Sequence, residues 1–213
     1  MKMRIASLSL LTVCCLLLAV APVMADTILY SNGPYNGTAD AWTINFGFSV
    51  SDSITLALDP HVKSLDFVYW DASAGSQSTD LLTTVDMALG STSFGGSPHT
   101  LTGVTNTFLS TNQYGYSLYQ ADFSSFDIPW SGGGYMTLSN ACTTSGCSVS
   151  NPIYWDENSG PSTAYENTLG SIPSEAFTLS GTGDTSTPEP SSIMLFGSGI
   201  LGVFGVLRRK LMG

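Results

Sequence analysis

The chain has 213 residues, 43% of them hydrophobic, with 16 acidic residues against six basic ones. Fifteen of the acids but only one base, Lys63, fall between Asp26 and Thr187, a formal balance of −14 for that stretch. Such a surface repels phosphate backbones, which excludes nucleic acid as a partner. Solubility accounts for the acidity better than a reservoir for divalent cations does.

The N-terminus reads as an export signal. Lys2 and Arg4 precede an apolar run from Leu8 to Val20, and Val23-Met24-Ala25 supplies the small residues that a signal peptidase requires. Residues 1–25 are expected to be a signal peptide cut after Ala25. Cys14 and Cys15 leave with it, and Val13 ahead of Cys14 argues against a lipoprotein.

From Trp42 onward the periodicity is that of strands. Trp42, Ile44, Phe46, Phe48 and Val50 alternate with polar or small residues, the two-residue period of a half-buried strand. Ile54, Leu56 and Leu58 repeat it, as do Val85, Met87 and Leu89. Tyr116, Leu118 and Gln120 alternate less cleanly beside Tyr119 and Phe123. After Gly132-Gly133-Gly134, Tyr135 and Thr137 oppose Met136 and Leu138, and Phe177 and Leu179 mark a last strand. No stretch keeps a 3.6-residue apolar period for three turns. The pattern predicts an all-β domain over 26–180, an antiparallel, jelly-roll-like β-sandwich of about eight strands. A polar linker over 181–187 follows.

Cys142 and Cys147 remain after the leader is removed, separated by Thr-Thr-Ser-Gly. In an oxidising compartment their default is a local disulfide. Zinc requires about four ligands, and His61 and His99 are isolated.

Tyr69-Trp70-Asp71 recurs as Tyr154-Trp155-Asp156. Neighbours on a strand face opposite ways, so one aromatic of each pair is expected in the core and the other in solvent. Exposed rings stack on the apolar face of sugars while nearby Asp, Asn and Glu accept hydroxyl hydrogen bonds. Trp70, Trp130 and Trp155 are therefore candidate carbohydrate-binding residues, against the plainer reading that each is core. Asp156-Glu157-Asn158, with Glu166 further on, forms an oxygen-rich candidate calcium site without EF-hand spacing; the plainer reading is a solvated turn. No other cofactor is expected. Asp156 and Glu157 are adjacent, so on a strand they point apart instead of toward one bond. The one Gly-Ser-Gly, Gly197 to Gly199, lies in an apolar run. The sequence thus offers no catalytic residue, and a glycan-acting hydrolase is the rival reading.

The last segment, 188–213, has three parts. Pro188-Glu189-Pro190-Ser191 leads into an apolar run from Ile193 to Leu207, and Arg208-Arg209-Lys210 follows. The 17 uncharged residues from Ser191 to Leu207 span roughly 25 Å as a helix, the short end of what crosses a bilayer. The basic triplet keeps its end in the cytoplasm and places the body of the chain on the far side. The prolines hold Thr187 to Ser191 extended, in the form a protease takes.

This order of triplet, span and basic cluster resembles the PEP-CTERM sorting signal of exopolysaccharide-producing Gram-negative bacteria. The resemblance implies that Pro188, Glu189 and Pro190 are the recognition motif and that the processing partner is an exosortase-type membrane enzyme. Trp42-Thr43-Ile44-Asn45, Val68-Tyr69-Trp70, the Gly-Gly-Tyr turn, Tyr154 to Gly160 and Pro161 to Ala164 together resemble an extracellular β-domain found ahead of such signals. The expectation is an inner-membrane-anchored precursor with its body in the periplasm. It is then delivered to the cell surface or the extracellular polysaccharide matrix, with a structural or carbohydrate-binding role.

Overall fold

The computed structural model describes residues 26–56, 60–72, 79–130, 132–147 and 151–182. The expected signal peptide, the sorting motif and the apolar runs at both ends lie outside the described residues, as does Leu58. Among the described residues no helix is long and apolar enough to cross a membrane.

The described chain is all-β and antiparallel. In order the strands are β1 (Thr27–Ser31), β2 (Ala41–Thr43), β3 (Ser49–Thr55), β4 (His61–Asp71), β5 (Leu82–Gly90), β6 (Pro98–Leu101) and β7 (Thr105–Thr111). There follow β8 (Ser117–Phe123), β9 (Ile128–Pro129), β10 (Gly133–Thr143), β11 (Ile153–Asp156), β12 (Ala164–Glu166), β13 (Gly170–Ile172) and β14 (Phe177–Thr182). They make two sheets, of eight and six strands. Compared with the eight or so strands expected, the surplus is mostly elements of two to four residues that pairing reveals and periodicity does not.

The larger sheet is organised on β4. One edge of β4 pairs with β14 over His61–Phe67 and with β11 over Tyr69–Asp71. Its other edge pairs with β9 at His61–Val62 and with β8 over Leu65–Asp71, and β7 lies beyond β8. The smaller sheet runs β13-β12-β3-β10-β5-β6. Its middle strand, β10, sets Leu138 between Val50 and Met87. Leu65, Phe67 and Tyr69 from β4, Tyr119 and Phe123 from β8 and Phe177 and Leu179 from β14 meet that row in one buried cluster. Each such side chain contributes about 1.5–3 kcal/mol by leaving water.

Three expectations change. The alternation from Trp42 to Val50 is not one strand, because the chain changes sheets inside it. Ile44 N–H donates to Ile153 of the larger sheet, while its carbonyl accepts from Ala141 of the smaller one. A turn follows, with Phe46 and Gly47 both at positive φ, so Phe46 and Phe48 end up exposed. On β8 the core face is Tyr119, Ala121 and Phe123, while Leu118 and Gln120 belong to the other face. Gly181 and Thr182 are strand, not linker. β14 runs through them against β4, and a Cβ at Gly181 would lie 1.9 Å from the His61 carbonyl oxygen.

Candidate functional site

The outer face of the smaller sheet carries a shallow hollow of about 220 Å³. The register builds its floor. Ser49 of β3 pairs with Ser139 of β10, and Thr137 of β10 pairs with Ala88 of β5, itself opposite Pro98 of β6. Asn140 lies at one side, its amide donating to Asp86 at 2.9 Å. Asp86 also accepts from Thr100 at 2.6 Å.

Two phenylalanines line this mixed floor. Phe48, 39% exposed, comes from the turn ahead of β3; Phe94, 40% exposed, comes from the loop between β5 and β6. That loop reaches across β10, since Phe94 N–H donates to Ser51 on β3. It folds this tightly because Gly96 has φ +88 and a Cβ there would meet the Leu89 carbonyl oxygen at 2.1 Å. The three described non-glycine residues at positive φ are Phe46 (58°), Phe94 (58°) and Asn140 (51°), and all are in or beside the hollow. Asn tolerates that region, but a bulky side chain in it is strained, and strain of this kind gathers at functional sites. Rings beside the Ser49 and Ser139 hydroxyls and the Asn140 amide can stack on a sugar face and exchange hydrogen bonds with its edge, while the Thr137 hydroxyl is already given to Ser51. The volume is below the ~300 Å³ at which pockets for drug-sized ligands begin, and suits a single ring.

The tryptophans singled out from the sequence are placed elsewhere. Trp155 has no exposed surface. Its ring meets Phe67 and Phe177 edge-on, and its indole N–H donates to the Ala176 carbonyl at 3.0 Å. Trp70 is on the outer face of the larger sheet but is only 4% exposed, covered by Tyr114 and Tyr116, with its indole N–H on Asp156. Trp130 is half-buried against the core and donates to the Gly132 carbonyl. Trp70 and Trp155 therefore present no ring face to a ligand, because loop tyrosines cover the one and the buried cluster around Phe67 and Phe177 encloses the other.

The oxygens of Asp156, Glu157 and Asn158 are engaged in three separate places. Asp156 accepts from the N–H groups of Asn36 and Gly37, both at 2.9 Å, and from Trp70. Burial nevertheless pushes its carboxyl up to about 6. Glu157 accepts from Trp42. Asn158 donates to the Asn32 carbonyl and accepts from Gly160 N–H and Ser174 Oγ. Glu166 caps its own turn. Burial opposes its ionisation, but donors from Thr168 and Leu169 outweigh that and hold it below the usual range. These bonds tie loops to sheets, and no group of three or more His, Cys, Asp or Glu able to hold a metal occurs among the described residues. His61 pairs with Asp127 at the surface. Cys142 and Cys147 form the disulfide.

Sequence reasoning missed Phe48 and Phe94. The signal for Phe94 was its setting, a large apolar residue inside Ser93-Phe94-Gly95-Gly96-Ser97, a turn too short to reach the core.

Residues 186–210 match the PEP-CTERM protein-sorting motif. The motif marks an exported protein processed by an exosortase. No curated protein and no solved structure gives a significant match to the chain.

Proposed function

We propose that this PEP-CTERM-bearing chain is a cell-surface or exopolysaccharide-matrix protein whose β-sandwich binds carbohydrate in the hollow lined by Phe48 and Phe94. The observation that carries the reading is that pair of exposed rings beside Ser49, Ser139 and Asn140. Before sorting, the apolar run from Ile193 to Leu207 anchors the precursor, with its body in the periplasm and Arg208-Arg209-Lys210 in the cytoplasm. Cleavage beside Pro188-Glu189-Pro190 then releases the body to the surface. The acidic exterior suits a protein that must stay dispersed among polymers.

A glycan-binding screen of the full chain, beside a reducing-sugar release assay, tests this. Binding without release, weakened about tenfold or more by Phe94→Ala and Phe48→Ala, is the expected result, in line with aromatic anchors of ligand sites. Binding indifferent to both substitutions would remove the hollow from the account, and sugar release would replace it with the hydrolase. Intact-mass measurement of the released form should place its end between Pro188 and Ser191.

A further inference from the structure

Asp52 lies on β3 between the core residues Val50 and Ile54, and so points into the sandwich. The register sets it in an inward row, Leu89–Met136–Asp52–Ala164–Ile172, in which every other member is apolar and buried. Glu175, just ahead of β14, is also without exposed surface. Its backbone N–H donates to Asp52 Oδ2 at 2.8 Å. Asn32 bridges the two, donating to Asp52 Oδ2 at 3.3 Å and to the Glu175 carbonyl at 2.6 Å.

These bonds occupy one oxygen of Asp52. Among the described residues, Asp52 Oδ1, both carboxylate oxygens of Glu175 and the nearby Ser162 Oγ are buried with no hydrogen-bond partner. Ser162 lies within hydrogen-bonding reach of Asp52 and Tyr30 and works against burial at both, although its hydroxyl is not aligned for a well-formed bond to either. Buried carboxylates without partners are strongly unfavourable. The charged groups acting on Glu175 are Asp52, Glu157, Asp156 and Asp40, every one an acid. Lys63 is the single Lys or Arg among the described residues. Burial pushes Asp52 up to about 6 and Glu175 well above its ordinary value. A proton shared between Glu175 and Asp52 discharges one carboxylate and leaves the other a buried charge with no cation beside it. A cation between the two side chains would satisfy the three unpartnered oxygens of Asp52 and Glu175, with the Ser162 hydroxyl beside them.

We propose that Asp52 and Glu175, with Ser162 alongside, hold a calcium ion inside one end of the sandwich. The donors are all oxygen, which selects a hard cation over zinc or copper. Two carboxylates match its charge, with neutral oxygens completing the shell. An exported protein meets calcium at concentrations that fill even the weak sites of extracellular modules. The ion would clasp β3, the loop ahead of β12 and the segment ahead of β14, joining the two sheets where the core row is interrupted. This site shares no residue with the hollow and stands independently of carbohydrate binding.

The test strips the full chain with EDTA and titrates calcium chloride, read by calorimetry and by thermal unfolding. The expected result is one ion per chain and a Tm raised by about 5–10 °C at a hundredfold excess over Kd. Magnesium should have a much smaller effect. Glu175→Gln and Asp52→Asn each weaken binding by at least the roughly tenfold that loss of a group merely supporting a ligand costs, and without calcium Glu175→Gln unfolds at or above the wild-type temperature, because a carboxyl that folding must desolvate has gone. Ser162→Ala weakens binding with little change in calcium-free stability, and Asp86→Asn, beside the hollow, leaves the response intact. A wild-type chain that gives neither heat nor a Tm shift with calcium would overturn the proposal. So would a response that survives in both Glu175→Gln and Asp52→Asn.

Discussion

Trp70 on β4 donates its indole N–H to the Asp156 carboxylate on β11, and that carboxylate also receives the backbone N–H groups of Asn36 and Gly37. One buried side chain thereby fixes the loop after β1 against the outer face of the larger sheet. Asp156→Ala would leave three donors unpaired, those of Trp70 and Gly37 buried and that of Asn36 partly exposed, at about 1–3 kcal/mol for each that water cannot reach. With partial hydration the expected loss is about 2–4 kcal/mol in urea unfolding. Asp156→Asn should cost less, since its amide oxygen still accepts. An Ala variant within about 0.5 kcal/mol of wild type, the range of ordinary surface changes, would show that the contact holds nothing.

The hollow predicts that stability and binding separate. Phe94 is held at φ 58°, and a non-glycine residue in that region carries about 1 kcal/mol or more of strain. Phe94→Gly removes the ring and the strain together. Glycine's greater freedom in the unfolded chain takes back roughly 0.5–1 kcal/mol, so the variant should match wild-type stability while its glycan affinity falls. Trp155→Ala, by contrast, opens the core at about 3–5 kcal/mol. Phe94→Gly unfolding much more easily than wild type would mean that the ring is a packing residue.

The two Tyr-Trp-Asp copies show how far the sequence could be read. They are antiparallel neighbours, with Tyr69 opposite Trp155 and Trp70 opposite Tyr154. Strand period alone correctly divides each pair between two faces. It cannot say that the outward Trp70 is roofed by Tyr114 and Tyr116, because that roof comes from a loop more than forty residues away. The β class, the Cys142–Cys147 bridge and the core of β5 and β10 rest on local pattern and were legible. The break at Phe46 was not, since a sheet change keeps the same alternation of apolar residues. Glu175 gave no sign at all. Its burial depends on Asp52 and Asn32, which reach it from 123 and 143 residues away.

The disulfide closes a loop of about six residues, for which the loop-closure relation gives roughly 2 kcal/mol. Thr143 and Gly146 also exchange backbone hydrogen bonds across the same turn, so the turn does not depend on the sulfur bridge alone. Reduction, or Cys142→Ser with Cys147→Ser, should therefore lower Tm by a few degrees while the fold persists. Loss of cooperative unfolding on reduction would contradict this.

Calcium-free stability should fall as pH rises from about 4.5 to 8. Burial, the largest cause in each case, lifts Asp52 and Asp156 to about 6 and Glu175 well above its usual 4.5. Asp66 is lifted to about 7 by burial and by its hydrogen bond with Asp122 across β4 and β8. Over this window the folded chain keeps protons that the unfolded chain has released, so stability is complete below the ordinary carboxyl values and is lost as pH climbs through 6 and 7. Asp80 and Glu166 act the other way. Their hydrogen bonds outweigh burial and hold Asp80 down to about 2, so their contribution is lost only as pH falls through the acid range. The maximum should consequently lie near pH 4–5. At about 1.4 kcal/mol per pK unit, Asp52 alone accounts for roughly 2–3 kcal/mol of the decline. Urea midpoints measured at pH 4.5, 6 and 8 in EDTA should fall in that order. Asp52→Asn should flatten the slope, and millimolar calcium should do the same in the wild-type chain. A midpoint that rises from pH 4.5 to 8 without calcium would mean that these carboxyls are not buried as described.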